Sequence, residues 1–143
     1  MYRIRIDRDR CIGCLTCVTA CVVSHQTESG DARNRVVIDS ETTPAPIFCR
    51  HCDKPECTFT CMTGAMHKNP ETGFVEYDKD HCASCYMCIM SCPFGILKYD
   101  SIRQKEIMKC NMCVHRSEDG KTPMPMCVEK CPMQAITLVE VGR

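Results

Sequence analysis

The sequence lacks tryptophan, has only four phenylalanines and four tyrosines, and carries no net charge across its 143 residues. So few large apolar side chains are not enough to form two conventional hydrophobic cores. We therefore expect covalent or coordinate cross-links to stabilise the fold. The balance of 18 basic and 18 acidic residues favours neither nucleic acid nor an anionic membrane. The apolar run around Cys88–Leu97 is far too short to cross a bilayer. These absences predict no nucleic-acid partner and no direct membrane insertion.

Cysteine, by contrast, is abundant, at 16 of the 143 residues. A disulfide framework is the usual reason for such a content in a secreted protein. The opening MYRIRIDRDR is charged throughout, however, and lacks the apolar stretch of a signal peptide. We therefore expect a soluble protein in a reducing, cytoplasmic compartment.

The cysteines fall into four rows of four, with none left over. Rows one and three have gaps of two, two and three residues, row two has gaps of two, four and three, and row four holds thirteen residues between its second and third cysteines. In chain order the rows are Cys11, Cys14, Cys17, Cys21; Cys49, Cys52, Cys57, Cys61; Cys82, Cys85, Cys88, Cys92; and Cys110, Cys113, Cys127, Cys131.

This spacing is typical of iron–sulfur clusters. Thiolates at every third residue can wrap one corner of a cubic iron–sulfur core, and the sixteen thiolates predict four 4Fe–4S clusters with cysteine as every iron ligand. Structural zinc is the alternative, since it also takes four thiolates. Zinc modules normally separate two C-x2-C knuckles, whereas rows one and three each hold three cysteines in seven residues, which favours clusters.

The rows are duplicated along the chain. DRDRCIGCLTC matches DKDHCASCYMC at a constant offset of 71 positions, and row two resembles row four apart from the thirteen-residue insertion. Between rows two and three, AMHK and FVEYD flank the turn residues NPETG and predict a hairpin. YRIRID and AITLVEV predict strands near the two ends of the sequence. The insertion 114–126 and the segment 24–46, in which only RVVID predicts a strand, are candidate docking loops.

The plan of row, hairpin and row is that of a two-cluster ferredoxin. We therefore predict an α+β fold of two interleaved dicluster ferredoxin-like modules, with short antiparallel hairpins and cores dominated by the clusters. The inner module would span residues 47–100, and residues 1–46 with 101–143 would form an outer module around it.

The fourth cysteine of a C-x2-C-x2-C-x3-C run binds the other cluster of a pair, and this rule predicts four crossed ligand sets. In the inner module the sets are Cys49, Cys52, Cys57 with Cys92, and Cys82, Cys85, Cys88 with Cys61. In the outer module they are Cys11, Cys14, Cys17 with Cys131, and Cys110, Cys113, Cys127 with Cys21.

FCRHCDKPECTFTC, CASCYMCIMSCPFGILKYD and KCNMCVHR…PMCVEKCPMQAI together resemble the four-cluster ferredoxin-type electron-transfer subunits. These accompany molybdenum and tungsten oxidoreductases of the DMSO reductase, formate dehydrogenase and aldehyde oxidoreductase types, some hydrogenases, and carbon monoxide dehydrogenases. The resemblance covers nearly the whole chain; Met62 stands where the family commonly has proline. It implies two interleaved modules and an electron relay with no catalytic residue of its own.

The expected function is therefore electron transfer between a large catalytic oxidoreductase subunit and a second redox partner, such as a flavoprotein or a ferredoxin. A free, diffusible polyferredoxin is the nearest alternative, and a zinc-stabilised interaction module or a cluster-delivery factor are alternatives of other classes. Four cations within or near the rows are candidates to offset cluster charge, with ordinary solvated positions as the alternative. These are Arg50, Lys54, Lys98 and Lys109.

Overall fold

Short helices and paired antiparallel strands make up the fold in the computed structural model, which describes residues 2–26, 29–102 and 106–140. Each sheet in these ranges has two strands. The α+β class predicted from the sequence is confirmed.

The outermost strands pair with each other. Strand β1 (Tyr2–Ile6) lies antiparallel to β8 (Ile136–Glu140), with Tyr2 opposite Glu140 and Ile6 opposite Ile136. The alternation of polar and apolar residues in YRIRI suits a sheet with one face against a core. Both predicted end strands are confirmed, except that residue 141 lies outside the described residues.

The predicted central hairpin is also confirmed. Strand β4 (Met66–Lys68) pairs antiparallel with β5 (Val75–Tyr77). Its turn is closed by two backbone bonds, from the Asn69 N–H to the Phe74 carbonyl at 2.9 Å and from the Gly73 N–H to the Asn69 carbonyl at 2.8 Å. Gly73 has a φ of 75°, a left-handed conformation that glycine adopts without steric cost.

Two further strand pairs complete the sheets in the described ranges. Strand β2 (Arg35–Ile38) is the predicted RVVID strand, and its partner β3 (Pro44–Ile47) is not predicted. Strands β6 (Lys98–Tyr99) and β7 (Ile107–Met108) form a minimal antiparallel pair that the sequence also does not predict.

The helices are short, and each begins one residue before the third cysteine of a row. They are α1 (Thr16–His25), α2 (Glu56–Thr60), α3 (Met87–Ser91) and α4 (Met126–Lys130). Helix α1 packs against α4, and α2 packs against α3. Five-residue helices are marginal by themselves, so tertiary contacts must stabilise them. None of the helices in residues 2–26, 29–102 and 106–140 is long and apolar enough to cross a membrane.

Two small apolar cores lie under these elements. The first contains Met66, Cys88, Ile96, Leu97 and Ile107. The second contains Phe48, Cys127 and Ile136, with Ile4 and Ile6 of β1 against them. Ile107 lies beyond the predicted boundary at residue 100 yet packs in the first core, and Phe48 lies within 47–100 yet packs in the second. Each predicted module thus contributes one side chain that packs among core residues of the other.

Candidate metal centres

Each short helix begins near the third cysteine of a row and presents it beside the fourth. In α2, α3 and α4 the third cysteine is the second helical residue and the fourth follows the last one. Residues four apart lie on one face of a helix. In the longer α1 both Cys17 and Cys21 lie within the helix.

The loop before each helix is bent in the same way. In every row the residue two positions after the first cysteine has a left-handed backbone: φ is 70° at Gly13, 44° at His51, 57° at Ser84 and 57° at Met112. For a residue other than glycine this conformation costs about 1–2 kcal/mol, and such strain persists only where its surroundings compensate for it. The same bend in four separate loops indicates a shared demand on the backbone, such as wrapping a group bound by the cysteines.

Several backbone N–H groups donate to cysteine sulfur. Ser84 and Met112, both left-handed, donate to the preceding Cys82 and Cys110 at 3.4 Å. Fourth cysteines also accept such bonds, from Met66 to Cys61 at 3.4 Å, from Ala135 to Cys131 at 3.4 Å and from Arg33 to Cys21 at 3.2 Å. Donors aimed at sulfur stabilise thiolate ligands and tune a cluster bound to them.

One cavity brings together three cysteines of row one and one of row four. Cys11, Cys14, Cys17 and Cys131 all line it. Burial, with the neighbouring Cys11, Cys131 and Cys14 thiols adding to it, raises the pKa of Cys17 to about 11.

A second cavity brings together three cysteines of row three and one of row two. Cys82, Cys85 and Cys88 line it with Cys61. Burial and the nearby Cys57, Cys82 and Cys61 thiols raise the pKa of Cys88 to about 11.

The remaining eight cysteines interact in two further groups. Burial raises the pKa of Cys52, and the thiols that add to this effect are Cys49 and Cys92. The Cys49 and Cys92 thiols also raise the pKa of Cys57. In the other group, burial and then the thiols of Cys110, Cys113 and Cys21 raise the pKa of Cys127.

Electrostatic interactions between thiols connect each group with the next. Cys88 of the row-three group interacts with Cys57 of the row-two group. Cys49 of the latter interacts with Cys110 of row four, and Cys127 of row four interacts with Cys17 of row one. The groups at the two ends each contain an exposed cysteine, Cys14 and Cys85.

Cations surround the row-two loop. Lys68 donates to the Cys52 carbonyl at 2.7 Å, and Arg3 of β1 donates to the carbonyls of Arg50, at 2.8 Å, and His51. The imidazole of His51 is fully buried and accepts a bond from the Val75 N–H at 3.0 Å. Its other nitrogen, Nε2, has no hydrogen-bond partner among the described residues. An orphaned buried nitrogen beside a cysteine loop fits a donor aimed at a group bound there.

The four predicted cations differ in their surroundings. Lys109 is only 3% exposed, whereas Lys54 is exposed. The Arg50 guanidinium lies 4.3 Å from the centre of the Phe94 ring, and Lys98 is half-buried in β6.

Sequence reasoning missed the hydroxyl groups beside the thiols. Thr16 lies 3.2 Å from the Cys14 sulfur, and Ser24 lies 3.2 Å from the Cys113 sulfur. The first pair is two residues apart, so a C-x-T pattern could have signalled it. The second joins residues 89 positions apart, which no local pattern reveals.

The fold and the grouped thiols define an iron–sulfur protein of the ferredoxin type. Residues 39–141 match the family described as a 4Fe-4S dicluster domain, and residues 3–26 match a 4Fe-4S binding domain. The chain belongs to this 4Fe-4S dicluster family. It is an electron-transfer protein with four 4Fe–4S clusters, as the sequence predicts, and the zinc and disulfide alternatives are set aside.

Named relatives are similar over most of the chain. The probable anaerobic dimethyl sulfoxide reductase chain YnfG of Escherichia coli is 38% identical, over 94% of this chain and 71% of its own length. An iron-sulfur protein of Rhodospirillum rubrum is 34% identical, over 96% and 82%. A sulfite dehydrogenase subunit of Allochromatium vinosum is 34% identical, over 91% and 65%.

A solved structure has a similar fold. A chain of the active site complex BamBC of benzoyl coenzyme A reductase superposes with a TM-score of 0.50 at 28% identity. The match covers 100% of this chain and 82% of that one.

Proposed function

We propose that this chain is the electron-relay subunit of an oxidoreductase complex, working between a large catalytic subunit and a second redox partner. The observation that carries the proposal is the series of four thiol groups, which interact one with the next and have an exposed cysteine at each end, Cys14 and Cys85. When bound, each 4Fe–4S cluster takes up and releases one electron. The relatives named as a reductase chain and as a dehydrogenase subunit support a catalytic partner.

The four thiol groups are the proposed ligand sets. The row-one set is Cys11, Cys14, Cys17 and Cys131, and the row-four set is Cys110, Cys113, Cys127 and Cys21. The row-two set is Cys49, Cys52, Cys57 and Cys92, and the row-three set is Cys82, Cys85, Cys88 and Cys61. The shared cavities and the interactions between thiols support this crossed arrangement.

The same observations support two interleaved modules, an inner one over residues 47–100 and an outer one over 1–46 with 101–143. Helices α2 and α3 pack together in the inner module, as do α1 and α4 in the outer one. The pairing of β1 with β8 joins the two segments of the proposed outer module. Phe48 and Ile107, each packed in the core of the other module, interlock the two.

The partners divide between the two ends. We place the catalytic subunit at one exposed terminal set and a flavoprotein or another ferredoxin at the other, in the cytoplasm. A free polyferredoxin and a cluster-delivery factor are the competing functions. Isolation from the native host separates them: a stoichiometric large subunit supports the relay, whereas a lone chain supports the free carrier. Ready loss of iron to an apo-enzyme would support delivery.

The crossed ligand sets are tested by comparing cysteine variants. Cys21→Ala should remove the same electron paramagnetic resonance signal as Cys113→Ala, because both residues belong to the row-four set. Cys131→Ala should remove the signal that Cys14→Ala removes. Wild-type protein prepared without oxygen should contain about sixteen irons with matching sulfide.

Either of two results would contradict this arrangement. If Cys21→Ala and Cys14→Ala lost the same signal, the rows would not cross and the ligand sets would be wrong. If the wild-type protein bound metal without sulfide, the relay function itself would fail.

A further inference from the structure

Lys109 is a charged side chain buried between cysteine rows. Its side chain is nearly inaccessible to solvent, and its Nζ donates to the backbone carbonyl of the next residue, Cys110, at 2.8 Å. An ammonium group has three donors, so this bond leaves two for other acceptors. In the described part of the chain no carboxylate forms an ion pair with it, although burying an unpaired charge is costly.

The backbone of Lys109 is anchored from both halves of the chain. The residue directly follows β7, and Arg33 of the outer segment donates to its carbonyl at 2.7 Å. Two residues earlier, the Ile107 N–H donates to the hydroxyl of Tyr77, on the inner hairpin, at 3.2 Å. Strand β7 is thus fixed where the two proposed modules meet, and the lysine has little freedom to turn outward.

The groups that face the ammonium include one cysteine from each of two rows. Cys49 and Cys57 of row two pack against the core that contains Ile107, two residues before Lys109, and Cys110 of row four directly follows the lysine. Burial raises the pKa of Cys57 and of Cys110, and in both cases the Lys109 charge opposes it. The Lys109 charge also acts on His51. Burial and then this charge hold the pKa of the His51 imidazole well below its usual value, so the imidazole stays neutral. Cysteines of two rows thus lie near the ammonium, and as thiolate ligands of a bound cluster they would supply negative charge beside it.

We propose that Lys109 is the shared counter-charge of the two central ligand sets, row two and row four, and that it sets the reduction potentials of both clusters together. The inference rests on the ligand sets proposed above, which place Cys57 and Cys110 on different clusters. A bound 4Fe–4S cluster is anionic and gains further negative charge on reduction, and net charge is one of the factors that set its potential. A buried cation therefore favours reduction of both clusters and keeps their potentials matched across the boundary between modules.

The test is a redox titration of the full chain, prepared without oxygen and monitored by electron paramagnetic resonance. In Lys109→Met, the ratio of reduced to oxidised cluster at a fixed potential should fall about tenfold for both central clusters, which is a shift of about 59 mV for one electron. The terminal row-one and row-three clusters should shift much less. The signals are assigned by the cysteine variants described above, together with Cys57→Ala for row two.

Two variants serve as controls. Lys109→Arg keeps the charge and should hold both central potentials near those of the wild type. Lys54→Met removes an exposed lysine beside row two and should leave every potential unchanged.

Each outcome decides the matter. A shift confined to one central cluster, or no shift, overturns the shared role of Lys109 while leaving the relay function in place. If Lys109→Met fails to assemble the central clusters, success of Lys109→Arg supports the charge, whereas equal failure of both assigns the residue to packing and overturns the proposal. A wild-type preparation without iron and sulfide would instead mean that the relay function has failed.

Discussion

At the scale of single residues, hydroxyl groups beside the thiols distinguish one centre from another. Thr16 adjoins Cys14 and Ser24 adjoins Cys113, both at 3.2 Å, and Thr63 lies 3.7 Å from Cys61. Toward a thiolate, the hydroxyl is the donor. A hydrogen bond to sulfur favours the reduced, more negative form of a cluster, so these contacts raise its potential.

Ser24→Ala should therefore lower the potential of the row-four cluster and leave the row-one cluster unchanged. Loss of one hydrogen bond worth about 1 kcal/mol corresponds to about 40 mV for one electron. Redox titration with detection by electron paramagnetic resonance measures this shift. Thr19→Ala is the matched control, because the Thr19 hydroxyl lies on the same helix but donates to the Leu15 carbonyl at 3.2 Å. Equal shifts in the two variants would show that the helix, rather than the bond to sulfur, is responsible.

Residue types at the centres were more predictable than their surroundings. Cysteine spacing alone gives the rows, because a cuboidal cluster requires ligands at fixed short intervals. The burial of Lys109 and the exposure of Lys54 are not visible in the sequence, since both lie close to cysteines. Their difference arises from tertiary contacts, since Ile107 of β7 packs in the first core, against which Cys49 and Cys57 of row two also pack.

At the scale of elements, strands with an alternating pattern or a clear turn were predicted and the others were not. YRIRI, AITLVEV and the NPETG hairpin carry such signals. Strand β3 does not, because proline at positions 44 and 46 lacks an N–H and argues against a strand. Pro44 and Pro46 are accommodated because β3 pairs on one side only, with β2. Strands β6 and β7 have two residues each, too few for any periodic signal.

The insertion 114–126 has more internal order than its turn-rich composition suggests. The carboxylate of Asp119 accepts bonds from the backbone N–H groups of Lys121, at 2.9 Å, and Thr122, at 3.0 Å, and these hold its pKa below the usual value. Lys121 in turn donates to Glu71, on the turn of the inner hairpin, at 2.8 Å. The candidate docking loop is thus ordered by its own hydrogen bonds and joined to the hairpin turn by an exposed ion pair.

Asp119→Ala should loosen this loop without affecting the clusters. The amides of Lys121 and Thr122 should exchange hydrogen several-fold faster, because they lose their acceptor. Hydrogen–deuterium exchange measures the effect, and iron content should stay at the wild-type level. Glu118→Ala, one residue earlier and exposed, is the control. Unchanged exchange at these two amides would show that the carboxylate does not order the loop.

At the scale of the whole molecule, the two apolar cores are small and partly lined by cysteine. Cys88 belongs to the first core and Cys127 to the second, and further cysteines from all rows pack around them. Cores this small supply little hydrophobic stabilisation. The family and the four clusters could be predicted from the sequence, whereas the two cores, which share residues across the proposed module boundary, could not.

Removal of the clusters should therefore unfold the chain. Because cluster binding and folding are coupled when the ligands come from distant segments, treatment with a chelator and acid should abolish the dispersed amide signals of the nuclear magnetic resonance spectrum. Reconstitution with iron and sulfide should restore them, and zinc is the control metal. An apo-protein that kept a dispersed spectrum would show that the apolar cores suffice by themselves.

The series of thiol groups has one more consequence. In the proposed series of clusters an electron must pass through every cluster, so the loss of any one cluster stops transfer along the whole chain. The slowest electron transfer between two neighbouring clusters therefore limits the overall rate. The step between the groups of Cys49 and Cys110 is the one that joins the two proposed modules.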